Sequence, residues 1–223
     1  MNNGQTKINV PELKKLLLRL KIMQGVSDFP YNYSYKQTYD MLTAATMAEV
    51  ESRRHKYIEL AEIDSYIQQA SKWMCERKTF GLLLCGNLGN GKSTIANGIA
   101  TLINYLKLKN QYGDIIYADK LDALQAVKLC RQEPDKFEQM KRSKFLILDD
   151  MGIEHTEVMD YGNILSPVIE LLTYRYNEQL ITIVTTNLIP KQIREKYGDR
   201  VADRFNEMFS KIIFTNQSFR KHE

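Results

Sequence analysis

Two stretches of this chain carry residue types that could do chemistry together. In KFLILDDMG (144–152) an apolar run ends in two adjacent carboxylates, Asp149 and Asp150. Adjacent acids at the end of a buried strand repel each other and lose hydration, so such a pair suits a place where a cation and a reacting water offset both costs. The second stretch is GNLGNGKST (86–94), which fits G-x-x-x-x-G-K-[ST]. Its glycines let the loop wrap so that backbone N–H groups converge on phosphate oxygens, and the following helix start adds partial positive charge. Gly86, Asn87, Leu88, Gly89, Asn90, Gly91, Lys92, Ser93 and Thr94 are therefore the expected cradle for ATP. Lys92 would reach the β and γ phosphates, and Ser93 would place its hydroxyl on Mg2+.

A nucleotide held this way needs a magnesium-side carboxylate at the end of a neighbouring strand, and FLILDD supplies one. Asp149 is assigned to the metal and Asp150 to polarising the attacking water. A third strand-like run, LITIVTTN, ends in Asn187, whose amide could orient that water. Asn is also a common strand-ending turn residue, and that reading stands beside the first. An acid pair with a polar Thr-Thr-Asn end points to water as phosphoryl acceptor. A small-molecule kinase would need an acceptor pocket and a lid instead.

The elements that must position these residues change character near residue 78. Before it, PELKKLLLRLKIM spaces Leu13, Leu16, Leu17 and Leu20 along one helical face, and YIELAEIDSYIQQASKWMCER has long helical periodicity through Ile58, Ala61, Ile63, Ile67 and Ala70. FPYNYSYKQTY between them is too rich in Tyr, Asn and Ser to predict a helix. After Thr79 the short runs FGLLLC, DIIYAD, KFLILDD, LITIVTT and KIIFT alternate with helical stretches. That alternation predicts an α/β fold with a parallel sheet flanked by helices. The expected division is a helical N-terminal partner-binding segment over 1–78 and an ATP-binding domain over 79–223.

The whole-chain numbers set bounds. With 223 residues, 43% hydrophobic and 26% charged, the chain can bury a sizeable core. No apolar run approaches the roughly 20 residues of a membrane span, and MNNGQTKINV lacks a signal-peptide core, so no membrane is expected and a cytoplasmic location is. Cys75, Cys85 and Cys130 fall in no C-x-x-C pair, which argues against zinc and disulfides. A net charge of +4 suits a nucleic-acid partner without requiring one.

The order GNLGNGKST, FLILDDMG, YGNILSPVIELLTYRYNEQLITIVTTNL, KYGDRVADRF and QSFR resembles the AAA+ ATPases of the bacterial helicase loader DnaC and its phage relatives, over about residues 79 to 220. The resemblance implies that Asn187 is the first sensor. It also implies that Arg200 or Arg204, with Arg204 the first choice, is an arginine finger acting on a neighbouring subunit, and that Arg220 is the second sensor. Further implications are a spiral or ring oligomer, single-stranded DNA binding and delivery of a hexameric replicative helicase. An IstB-like transposition helper, acting with a transposase on duplex DNA, shares these core motifs. Asn90 stands where Thr is frequent in such loops. Read from spacing alone, R-x-x-x-R with Asp199 and Asp203 beside it is a salt-bridged surface helix.

Weaker features admit two readings each. Tyr31, Tyr33, Tyr35 and Tyr39 beside Lys36 could stack single-stranded bases or pack internally. Met140, Lys141, Arg142 and Lys144 form a short basic run, a DNA contact or a solvated face. His155, near the acid pair but without a partner ligand, reads as a loop residue.

Overall fold

The structure, a computed structural model, describes residues 9–22, 29–53, 55–58, 60–160 and 163–219. Among the described residues, three helices precede the first strand: α1 (Val10–Ile22), α2 (Tyr35–Glu51) and α3 (Ala61–Glu76). The tyrosine-rich segment does enter a helix, because Ser34 and Gln37 form a reciprocal capping box at the start of α2. On α1, Val10, Leu13 and Leu16 are exposed; the side chains of Leu17 and Leu20 lie outside the described residues.

From residue 81 the chain alternates as the sequence predicts: β1 (Gly81–Gly86), α4 (Lys92–Leu106), β2 (Ala118–Asp122), α5 (Ala123–Gln132), α6 (Pro134–Arg142) and β3 (Phe145–Met151). A small antiparallel pair, β4 (Val158–Asp160) and β5 (Asn163–Leu165), interrupts the pattern. It continues through α7 (Pro167–Asn177), β6 (Ile181–Thr186), α8 (Pro190–Tyr197), α9 (Asp199–Met208) and β7 (Phe209–Phe214). Five strands form one parallel sheet in the order β2-β3-β6-β1-β7. Two details differ from the sequence reading. The second strand runs 118–122 rather than through DIIYAD, since Ile115 pairs instead with Lys109 in an isolated antiparallel bridge. The β4–β5 pair was not foreseen, its strands being only three residues each.

Two apolar layers cover the sheet. One contains Leu83, Leu146, Leu148 and Val184 under α5, α7 and α9. The other contains Leu82, Leu84, Ile147 and Ile183 with α4, and it also takes in Phe29, Tyr31, Leu42 of α2, and Tyr66, Ile67, Trp73 and Met74 of α3. Among the described residues the strands therefore begin at Gly81, while the core that covers them begins near residue 29. Gly98 makes this possible: a Cβ there would meet Thr46 Oγ1 at 3.0 Å and Thr46 Cα at 3.3 Å, so α2 and α4 cross backbone to backbone. Of the tyrosine cluster, Tyr31 is buried and donates to Thr38 at 2.9 Å, and Tyr39 donates to Asp64 on α3, which favours packing over base stacking. In the basic run, Lys141 is buried, pairs with Glu138 and with Glu170 at 2.7 Å, and lies over Tyr174; it is a structural residue.

Candidate active site

The site lies at the carboxyl ends of β1, β6 and β3, three adjacent strands, where ligands of parallel sheets gather. Apolar β1 delivers the glycine-rich loop, and Gly91, at φ 97°, turns the chain into α4. Lys92 is buried, its ammonium donating to Gly86 O at 2.7 Å, Asn87 O at 2.6 Å and Asn90 Oδ1 at 3.0 Å. Asn90 is also buried and donates through Nδ2 to Phe214 O at 3.3 Å, tying the loop to the end of β7. Leu88 stands exposed at the loop tip, and Thr94 is half-buried in the first turn of α4.

Across the sheet, Ser93 Oγ donates to Asp149 Oδ1 at 2.8 Å, so the loop serine and the strand acid meet directly. Asp149 is 8% exposed. Burial pushes its carboxyl up, but hydrogen bonds from Thr185 and Ser93 and the Lys120 ammonium more than offset this and hold it below the usual carboxylate range. It therefore stays ionised. Magnesium bound with a nucleotide takes one or two carboxylates together with phosphate oxygens and water, and an ionised Asp149 beside the Ser93 hydroxyl fits that donor set. The Lys120 ammonium, 3.2 Å from Asp149 Oδ2, marks where a positive charge is accommodated.

The two acids do not simply alternate along β3. The register with β6 shifts between Leu148 and Met151, and Asp150 adopts a left-handed φ of 53°. Thr185 joins both: its hydroxyl donates to Asp149 Oδ1 at 2.5 Å and accepts from Asp150 N at 2.9 Å. Asp150 is half-buried, and Asn187 follows directly after β6, the strand between β3 and β1, also half-buried. His155 is exposed on the loop beyond.

The sequence reading missed three participants. Thr185 lay in plain view beside Asn187 but looked like an ordinary strand residue. Lys120 and Asn97, bonded to each other at 2.8 Å, lie on β2 and α4, and nothing local marks them.

The arginines separate. Arg204, the first choice for a finger, is engaged within its own chain: it donates to Thr173 at 2.9 Å and lies over Tyr176, 5.2 Å from the ring centre. Arg200, one turn earlier on α9, is exposed. Among the described residues, Asp199 pairs with Arg194 rather than with an arginine of R-x-x-x-R. Arg220 lies outside the described residues. Just before it, Phe219 N donates to Gly89 O at 2.9 Å, so the chain approaches the loop at that point.

No protein-family model and no curated protein matches the chain. Solved structures do. The DnaC helicase loader superposes with a TM-score of 0.55 at 19% identity, covering 71% of this chain and 93% of its own. DnaI gives 0.57 at 21%, covering 73% and 88%. DnaA from Aquifex aeolicus, bound to AMPPCP, gives 0.50 at 14%, covering 70% of this chain and 48% of its own. At these identities the likeness is one of fold: like these structures, this chain has an α/β P-loop NTPase fold, a parallel five-stranded sheet flanked by helices.

Proposed function

We propose that this protein is a replication ATPase that loads a hexameric replicative helicase onto single-stranded DNA, using ATP with Mg2+ and working as a spiral or ring oligomer. One observation carries the ATPase reading: the P-loop, the acid pair and the Thr-Thr-Asn end sit on three adjacent strand ends, with Ser93 and Asp149 in direct contact at 2.8 Å. The loading role is supported by the fold shared with a structure described as a helicase loader. The exposed α1 face, with Leu13 and Leu16, is the surface assigned to the partner.

The residues divide the work. Lys92 exchanges the loop carbonyls it now holds for phosphate oxygens. Ser93 and Asp149 would hold a magnesium ion, which would supply charge neutralisation at the phosphates. Asp150 polarises the water and Asn187 orients it, while Thr185 keeps the two acids in register. Because Arg204 is tied to Thr173 and Tyr176, Arg200 is the arginine offered to the neighbouring subunit's γ-phosphate.

The test combines the purified protein, the replicative helicase of the same genome and circular single-stranded DNA. Lys92→Ala should lose ATP binding and loading while keeping its circular dichroism. Asp150→Asn should bind ATP normally and hydrolyse it about 100-fold more slowly or worse, the range of a lost water-activating group. Loading by Lys92→Ala at the wild-type rate would refute the proposal, as would activity that requires duplex DNA and a transposase.

A further inference from the structure

The loop leaving the acid pair is fastened to the helix that leads into the arginines. Gly152 N donates to Glu154 Oε2 at 2.8 Å, and the Tyr197 hydroxyl donates to Glu154 Oε1. Lys196 Nζ reaches across from α8 to Gly152 O at 2.6 Å and Glu154 O at 2.5 Å. Glu154 is 2% exposed and Tyr197 5%. Burial, and then the Glu154 carboxylate, push the Tyr197 phenol far above its ordinary range, so it remains a hydrogen-bond donor.

A carboxylate buried in a short loop is costly unless several donors meet it, and an apolar side chain would fill the same space more cheaply. What distinguishes this position is what it connects. Gly152 follows Asp150 by two residues, at φ 113°, and Ile153 N closes back on Asp150 O at 3.4 Å. A Cβ on Gly152 would meet Leu188 at 2.7 Å, so the loop also presses on the residue after Asn187. At the other end, Tyr197 is followed by Gly198, whose φ of 85° turns the chain directly into α9, where Arg200 occupies the first turn. None of these contacts involves the P-loop.

We infer that Glu154, Tyr197 and Lys196 are positioning residues: they form a buried strut that makes the Asp150 loop and the start of α9 move as one body. Resting on the proposed ATPase reading, this means that occupancy at a subunit's own γ-phosphate position sets how its Arg200 is presented to the next subunit. The strut thereby links neighbouring sites around the oligomer through a path inside each chain.

The test is hydrogen–deuterium exchange on the full chain with and without Mg·ATPγS, read over residues 150–156 and 199–205, alongside nucleotide affinity. In the wild type the nucleotide should slow exchange in both segments. In Tyr197→Phe, which keeps the ring and loses the donor, affinity should stay within about twofold because the P-loop is untouched. The α9 response should nevertheless fall to a small fraction of the wild-type value. Glu154→Gln, which preserves shape but cannot accept two strong donors equally, should do the same and decides the matter if Tyr197→Phe fails to fold. A full α9 response in a folded variant overturns the strut, as does a wild type that binds nucleotide without any response in α9. Unfolding of both variants would reduce the cluster to a packing element and also overturn it. A wild type that binds no nucleotide would instead overturn the ATPase reading.

Discussion

Deleting residues 1–28 should leave a folded ATPase, whereas deleting residues 1–78 should not. The shorter deletion removes α1, whose Val10, Leu13 and Leu16 are exposed. The longer one also removes Phe29, Tyr31, Leu42, Tyr66, Ile67, Trp73 and Met74, all buried in the layer that covers Leu82, Leu84, Ile147 and Ile183. Burying a large apolar side chain contributes about 1.5–3 kcal/mol, and a compact unfolded chain reduces that by roughly 10–40%. Seven such side chains therefore contribute on the order of 10 kcal/mol, comparable with the about 5–15 kcal/mol that holds a whole domain together. The loss is compounded where α4, at Gly98, would face water instead of Thr46, and where Thr215 N would lose Tyr66 Oη at 3.0 Å.

The assay is a circular dichroism melt with size-exclusion chromatography and an ATP titration on both truncations. The 29–223 protein should melt cooperatively near the full-length midpoint and bind ATP, but no longer capture the helicase. The 79–223 protein should aggregate or lack a cooperative transition. A soluble 79–223 protein melting within a few degrees of the full chain would refute the reasoning and restore the boundary at residue 78 as a true domain limit.

Two further outcomes follow from individual contacts. Asn90→Ala should weaken ATP binding about 10-fold by calorimetry, the worth of one hydrogen bond to a charged group, since Lys92 loses Oδ1 and the loop loses its tie to Phe214 O; unchanged affinity would show that the tie is incidental. Burial pushes the Tyr31 hydroxyl up to about 12 from 10.0. Its contribution is thus complete below pH 10 and is lost as pH rises from 10 through 12, because the unfolded chain ionises first. Tyr31→Phe should flatten that alkaline loss in denaturant midpoints measured from pH 9 to 12, and equal slopes in both proteins would refute the assignment.

The parts of the site that could be read in the sequence are those whose physics is local. The Lys92 contacts span two to six residues, and the loop is flanked by a strand and a helix that each announce themselves by apolar pattern. Asp149 was legible because FLIL ends on it. Lys120 was not, because ADKLD has no strand-like hydropathy; it reaches the site only because β2 lies beside β3, with Asp122 opposite Asp149. Arg204 shows the converse. Its spacing from Arg200 is local, but Thr173 and Tyr176, which occupy it, come from another helix, and no pattern within GDRVADRF reveals them. Likewise the last five residues of FPYNYSYKQTY are helical despite the composition of the stretch, since the Ser34–Gln37 box and the packing of Leu42 decide it rather than propensity.

The adjacent acids, costly in isolation, now have a physical account. In a regular strand Asp149 and Asp150 would point to opposite faces, and one of them would enter the apolar layer. The register shift after Leu148 and the left-handed Asp150 break that alternation, and Thr185 holds the break with a single hydroxyl that donates to one acid and accepts from the backbone of the other. Asp149 is consequently fixed against Ser93 and Lys120, where opposite charge is near, while Asp150, half-buried, stands at the start of the loop that Glu154 anchors. The same local distortion leaves the two carboxylates in different surroundings, Asp149 buried and Asp150 half-buried. The two roles proposed for them, a metal-side acid and a water-side acid, would need that difference in surroundings more than any difference in residue type.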